Sequence, residues 1–340
     1  MPGYGAGKTI LCGEHFVVHG EQALVVSLPL RTRVDVVPFD GSFIIDKRPK
    51  HPDFVLSKQQ LYEGMAEAIA NLFGVGKQYS FVLSGDLPVT SGGIGASAAA
   101  AVGITRALQE VVGVPLSSDD IMTIALAGER VIHGNPSGID TTAAANEGIL
   151  LFQKKESGLF TSSVISASVL CHPGPELDEG RSGVGSNQLE LPLLLVDSQK
   201  VTTTKETVAE VARFKDQQPA VWEQIIKTYR DILAGQVDAL QRGSLEQLGK
   251  LFCQNHELLM QLNLSCCHVE RVRDFAQQLG ALGSKMTGTC RGGLVLVLGR
   301  DLEHVMQMAR TFDQCGFFTV NTSIESVLNG NVSSVENILF

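Results

Sequence analysis

The 340-residue chain reads as an α+β protein of one large or two ordinary domains. Three observations lead there. Strand-like and helix-like segments are mixed irregularly rather than in a regular βαβ alternation. The texture changes between about residues 150 and 190, where a Pro/Gly/Ser/acid-rich stretch, Cys171 to Glu190, interrupts the chain. A run of helices then precedes a final strand–helix alternation. The expected division is 1–185 and 186–340.

Taken in order, Lys8 to Ser27 is expected as two short strands joined near Gly13 and Gly20, and Arg31 to Val37 alternates like a half-exposed strand. Asp46 to Lys58 is polar, with two prolines, and reads as a loop. Leu61, Met65, Ala68, Ile69 and Leu72 recur at helical spacing, and Gly74 ends that helix. Tyr79–Leu83 is a strand signal. It leads into Pro88-Val89-Thr90-Ser91-Gly92-Gly93-Ile94-Gly95-Ala96-Ser97, which opens an alanine-rich helix running to about Val112.

Ser117 or Ser118 caps a further helix, with Asp119 and Asp120 in its first turn. That helix carries Glu129 and is broken at Asn135-Pro136. The spacing restarts a helix at Pro136, through Asp140 to Ala145, with proline in the tolerated first turn. Two carboxylates thus flank one glycine–proline elbow. Ile149–Phe152 and Leu191–Val196 are strand-like, and helices follow near 205–215, 220–241, 244–262 and 269–279. Strands near 284–288, 292–298 and 317–320, with a helix near 301–315, complete the chain.

Chemistry gathers at the glycine-rich stretch. Glycines let backbone approach a ligand, and a helix start offers unpaired N–H groups and a positive dipole end. Together these make an anion site, with phosphate the usual anion. Two rival glycine motifs fail. Gly93-x-Gly95-x-x-Ala98 lacks the tight strand-to-helix turn and the following strand of a dinucleotide fold. Gly7-Lys8-Thr9 ends like a Walker A loop, but Pro2 stands where its first glycine belongs, and a strand follows.

A net charge of −9 argues against nucleic acid, and no apolar run approaches the roughly 18 to 20 residues that cross a membrane. Seven scattered cysteines and no signal-peptide pattern fit a reduced cytoplasmic protein. Cys253, His256, Cys266, Cys267 and His268 could be counted as zinc ligands. Their apolar helical setting and the lack of C-x-x-C pairs make them core residues instead.

Four stretches, in order, resemble the mevalonate kinases of the GHMP small-molecule kinase family. They are Lys8 to Gly20, the glycine-rich loop with its helix, His133-Gly134-Asn135-Pro136-Ser137-Gly138-Ile139-Asp140, and Lys285 to Gly293. The resemblance covers nearly the whole chain, and the third stretch is its most specific part. It implies the two-domain GHMP fold, an N-terminal ribosomal-protein-S5-like domain and a C-terminal α/β plait with extra helices, with the active site between them. It also implies ATP and Mg²⁺ as cofactors and phosphorylation of the primary hydroxyl of mevalonate.

By the same resemblance, Lys8 and Asp140 are catalytic, with Lys8 near the transferring phosphoryl group and Asp140 as base. Ser91, Gly92, Gly93, Ile94, Gly95, Ala96 and Ser97 would join Lys8 around ATP, and Ser97 and Glu129 would hold Mg²⁺. Glu14, His15 and Thr287, with Asp140, would line the substrate pocket. Expected partners are mevalonate and ATP, without nucleic acid or membrane, and a homodimer is the assembly to test. The chain departs from the family pattern in a longer loop before Gly93, in Ala96, and in Cys290-Arg291, which interrupt a glycine run. Arg291 would either add a cation near phosphate or point to solvent. Another GHMP kinase, of phosphomevalonate or galactose, and a catalytically dead metabolite sensor are the competing readings.

Overall fold

A computed structural model describes residues 1–39, 41, 43–50, 58–89, 92–146, 148–154, 160–165, 190–200, 204–288 and 290–325. The expected boundary between residues 185 and 186 lies outside them, as do Thr90 and Ser91. The first sheet is built from β1 (Gly3–Cys12), β2 (Gln22–Pro38), β3 (Ile44–Asp46), β4 (Tyr79–Gly85), β5 (Ile149–Lys154) and β6 (Phe160–Val164). Its order is β3-β4-β2-β5-β6, with β1 along the other edge of β2. Helices α1 (Lys58–Leu72), α2 (Ala96–Val112), α3 (Ser118–His133) and α4 (Ile139–Ala145) complete this half.

The long strand β2 replaces the separate short strands expected here. It runs through Pro29 because that proline needs no ladder partner. Opposite it, β1 shifts register between Ala6 and Lys8. On the other edge β5 stops at Val26, and β4 begins only at Thr32. A proline at such an irregularity removes no hydrogen bond. Helix α2 lies directly on β1, and a Cβ at Gly5 would sit 2.0 Å from the Ala99 carbonyl oxygen. Glycine is required there for the two backbones to touch.

The second half holds β7 (Glu190–Leu191), β8 (Leu193–Asp197), α5 (Thr204–Gln217), α6 (Pro219–Gln241), α7 (Leu245–Gln261) and α8 (Cys267–Gln278). After these come β9 (Gly283–Met286), β10 (Leu294–Leu298), α9 (Leu302–Gln314), β11 (Thr319–Asn321) and β12 (Ile324–Glu325). Four of the strands form an antiparallel sheet in the order β11-β8-β10-β9. Every residue of β8 and β10 is buried, which explains their unbroken apolar runs: both faces of this sheet are covered.

One apolar cluster joins the halves. Leu11, Phe16, Leu24 and Ile94 share it with Leu195, Tyr229, Phe252 and Leu294. The Phe16 ring stacks on Tyr229, with centroids 4.2 Å apart. The N-terminal motifs are therefore packed against the C-terminal half.

Candidate active site

The glycine-rich loop enters α2 through Gly92, Gly93 and Gly95, all with positive φ. Gly95 is the N-cap and offers no side chain to the first-turn N–H groups. Those groups have no acceptor within the helix, so the site is suited to an anion. Ile94 is buried, and its carbonyl accepts from the Lys8 amide at 2.9 Å. Gly7 and Lys8 thus lie in a strand whose amide binds this loop.

Lys8 runs along the helix start: a Cβ on Gly95 would meet its Cγ at 2.8 Å. Its ammonium, only 4% exposed, reaches Asp140 Oδ1 at 2.9 Å. Asp140 sits in the first turn of α4, which begins at Ile139 behind Gly138 (φ 88°). The expected start at Pro136 is therefore corrected. Gly138 makes the left-handed turn and its carbonyl accepts the first helical bond, from Thr142, which leaves Pro136 outside.

Glu129 comes from the last turns of α3, and its carboxylate is almost wholly buried. Burial first, and then the nearby charge of Asp140, pushes its pKa up to about 8, while the Ser97 hydroxyl and Lys8 act in the opposite sense. Its Oε1 has no hydrogen-bond partner among the described residues. His133, one turn on, places Nε2 3.6 Å from Glu129 Oε2 and 3.2 Å from the Ser97 hydroxyl. Lys8, Ser97, Glu129, His133 and Asp140 thus converge from β1, α2, α3 and α4. The donors Ser97 and Glu129 are hard oxygens, and one carboxylate oxygen lacks a partner. That set fits Mg²⁺, which takes few protein oxygens.

His15 follows at φ 63°, with its side chain largely buried. Val17, two residues on, packs in one cluster with Ile139, the neighbour of Asp140. Glu14 and Thr287, expected to line a substrate pocket, have bonding partners in the opposite half of the chain. The Glu14 carboxylate is completely buried in an ion pair with Lys285. Thr287, also fully buried, donates its hydroxyl to the Ile10 carbonyl at 3.2 Å and lies 3.2 Å from the Thr9 hydroxyl. Both hold the halves together.

The Lys285–Gly293 motif meets the phosphate loop at Gly288, where a Cβ would be 2.8 Å from Gly93 Cα. Arg291 lies partly exposed in an ion pair at the surface. It donates to the Asn263 carbonyl at 2.8 Å and pairs with Glu210, pinning α5 to the turn before α8. Ser91, expected around ATP, lies outside the described residues. His256 bonds Glu270 at 2.8 Å and accepts the Met286 N–H at 3.2 Å.

Sequence reasoning missed Arg48, read only as part of a polar loop. Its guanidinium is buried and reaches Asp46 at 2.7 Å, the Thr32 hydroxyl at 3.1 Å and the Ala96 carbonyl at 2.9 Å. It braces the head of α2 from behind. No local pattern marks it. His133 was visible one turn after Glu129, in the most specific motif.

An anion-suited helix start, a buried cation and hard oxygen donors around one carboxylate are an arrangement that suits phosphoryl transfer. The chain belongs to the GHMP kinase family. The family's N-terminal domain matches residues 60–148 and its C-terminal domain residues 236–316. Over most of its length the chain is similar to mevalonate kinases. That of Aeropyrum pernix is 28% identical, over 87% of this chain and 88% of its own. That of Thermococcus onnurineus is 29% identical, over 89% and 90%. The crystal structure of L. major mevalonate kinase in complex with R-mevalonate superposes with a TM-score of 0.83 at 28% identity, covering 95% of each chain.

Proposed function

We propose that the enzyme phosphorylates the primary (C5) hydroxyl of mevalonate with ATP, yielding 5-phosphomevalonate in the cytoplasm. The Lys8–Asp140 pair, 2.9 Å apart at the head of the phosphate helix, carries this reading. In it, Asp140 receives the hydroxyl proton as the substrate oxygen forms its bond to the γ-phosphorus. The bond from that phosphorus to the bridging oxygen breaks, and ADP leaves with the electron pair. Lys8, held between Gly95 and Asp140, stabilises charge on the transferring group and the attacking oxygen. A carboxylate within hydrogen-bond reach suffices as base.

Residues 92–97 surround the triphosphate, the glycines offering backbone N–H groups without a Cβ in the way. Ser97 and Glu129 would hold Mg²⁺, which supplies charge neutralisation on the β- and γ-phosphates. His15 belongs to the substrate pocket. The similarity to mevalonate kinases along nearly the whole chain favours mevalonate over the other acceptors of the family.

A coupled ADP-release assay over mevalonate, phosphomevalonate, galactose and homoserine tests the reading. ADP release should need mevalonate. Release with another acceptor alone would transfer the reading to that substrate, and none with any would favour a metabolite sensor.

A further inference from the structure

Lys285 is a fully buried cation near the site, and phosphoryl transfer assigns it no task. Its side chain is fully buried on β9. The ammonium has three protons, and three acceptors surround it: the Glu14 carboxylate, the Ile10 carbonyl at 3.3 Å and the Met286 carbonyl at 2.9 Å. Two of these belong to the N-terminal half, more than 270 residues away in the chain.

Their neighbours are held from the same side. Thr287 bonds Thr9 and both backbone groups of Ile10, with the Ile10 N–H donating at 3.3 Å. Asn255 donates to the Cys12 sulfur at 3.4 Å. Residues 9 to 14 are thus gripped by the C-terminal half. Lys8 immediately precedes this segment, and His15 immediately follows it at a φ that non-glycine residues seldom adopt.

A buried ion pair is weak evidence for stability, since apolar residues of similar volume often serve as well. Its geometric specificity is what an apolar pair would lack. We infer that Lys285 is a positioning residue: acting through Glu14 and Ile10, it sets His15 against the acceptor substrate rather than the nucleotide. The inference rests on the proposed role of His15 in mevalonate phosphorylation.

The experiment compares Lys285→Met with the double variant Glu14→Leu/Lys285→Met, measuring Tm and the separate KM values for mevalonate and ATP. Lys285→Met strands a buried carboxylate and should lower Tm. The double variant should recover most of that Tm. Its mevalonate KM should nevertheless stay raised by about tenfold or more, with the ATP KM within about twofold of wild type. Recovery of Tm together with wild-type mevalonate KM would reduce the pair to packing and overturn the inference. So would a double variant that stays unstable, or a parallel rise in both KM values. Failure of the underlying reading is seen separately: the wild-type enzyme would then release no ADP with mevalonate, or His15→Ala would leave its KM unchanged.

Discussion

Replacing Asp140 by asparagine separates its chemistry from its structural role. Asparagine keeps the shape and an oxygen acceptor for Lys8, but it cannot take the hydroxyl proton. The fold should survive. The Asp140 side chain is 36% exposed, and a pair open to solvent on one side contributes roughly 1 kcal/mol or less. Catalysis should suffer far more, because a positioned base contributes about 10²- to 10⁴-fold, or roughly 3 to 5 kcal/mol of barrier.

A second signature follows from the neighbouring acid. Asp140's charge is the second cause, after burial, of the upward pKa of Glu129. Removing it lets Glu129 ionise more readily, but it also removes a negative charge that attracts the cation, so no gain in Mg²⁺ binding is expected. The variant should lose at least about 10² in kcat, and added Mg²⁺ should not recover it. Coupled ADP release, with Mg²⁺ titrated at fixed ATP, measures both. A variant that keeps more than a tenth of its kcat, or that added Mg²⁺ rescues, would falsify the assignment of the base.

Glu129→Gln should show the opposite pattern, with weakened Mg²⁺–ATP use that added Mg²⁺ partly restores; no response to Mg²⁺ would count against metal binding there. His15→Ala should raise the KM for mevalonate and leave that for ATP near its starting value, and equal effects on both would return His15 to a structural role. Stability should fall in mild acid because of His256, which burial and then the charge of Arg273 depress to about 4. The unfolded chain takes up that proton near pH 6.5 and the folded chain does not, so stability present above about 6.5 is lost as pH falls toward 4. Urea midpoints at about pH 7.5 and 5 should therefore converge for His256→Gln relative to wild type, and equal slopes would refute the account.

Much of the fold is legible locally because it is locally encoded. The residues from Leu61 to Leu72 and the alanine-rich run after Gly95 announce α1 and α2 by periodicity, and Ser117 with Asp120 forms the capping box that starts α3. The same local chemistry suits Gly92 to Ser97 to an anion and puts Glu129 and Asp140 at the two sides of one elbow. What failed locally was fine geometry: α4 starts at Ile139 behind Gly138 rather than at Pro136, and the strands read before Ser27 and after Arg31 are one strand, β2, because the register of β1 leaves Pro29 where it removes no hydrogen bond.

Side-chain partners across the chain belong to the tertiary structure alone. Nothing near Glu14 in the sequence names its partner, and Lys285, 271 residues away, supplies it. Thr287 likewise bonds the Ile10 carbonyl only because β1 lies against it. Arg48 carries no motif and acquires its place only when Asp46, Thr32 and the head of α2 close around it. Spacing along the chain encodes which face of a helix or strand a residue occupies. Which distant group will neutralise a buried charge depends on how the two halves pack, and no short window of sequence contains both partners.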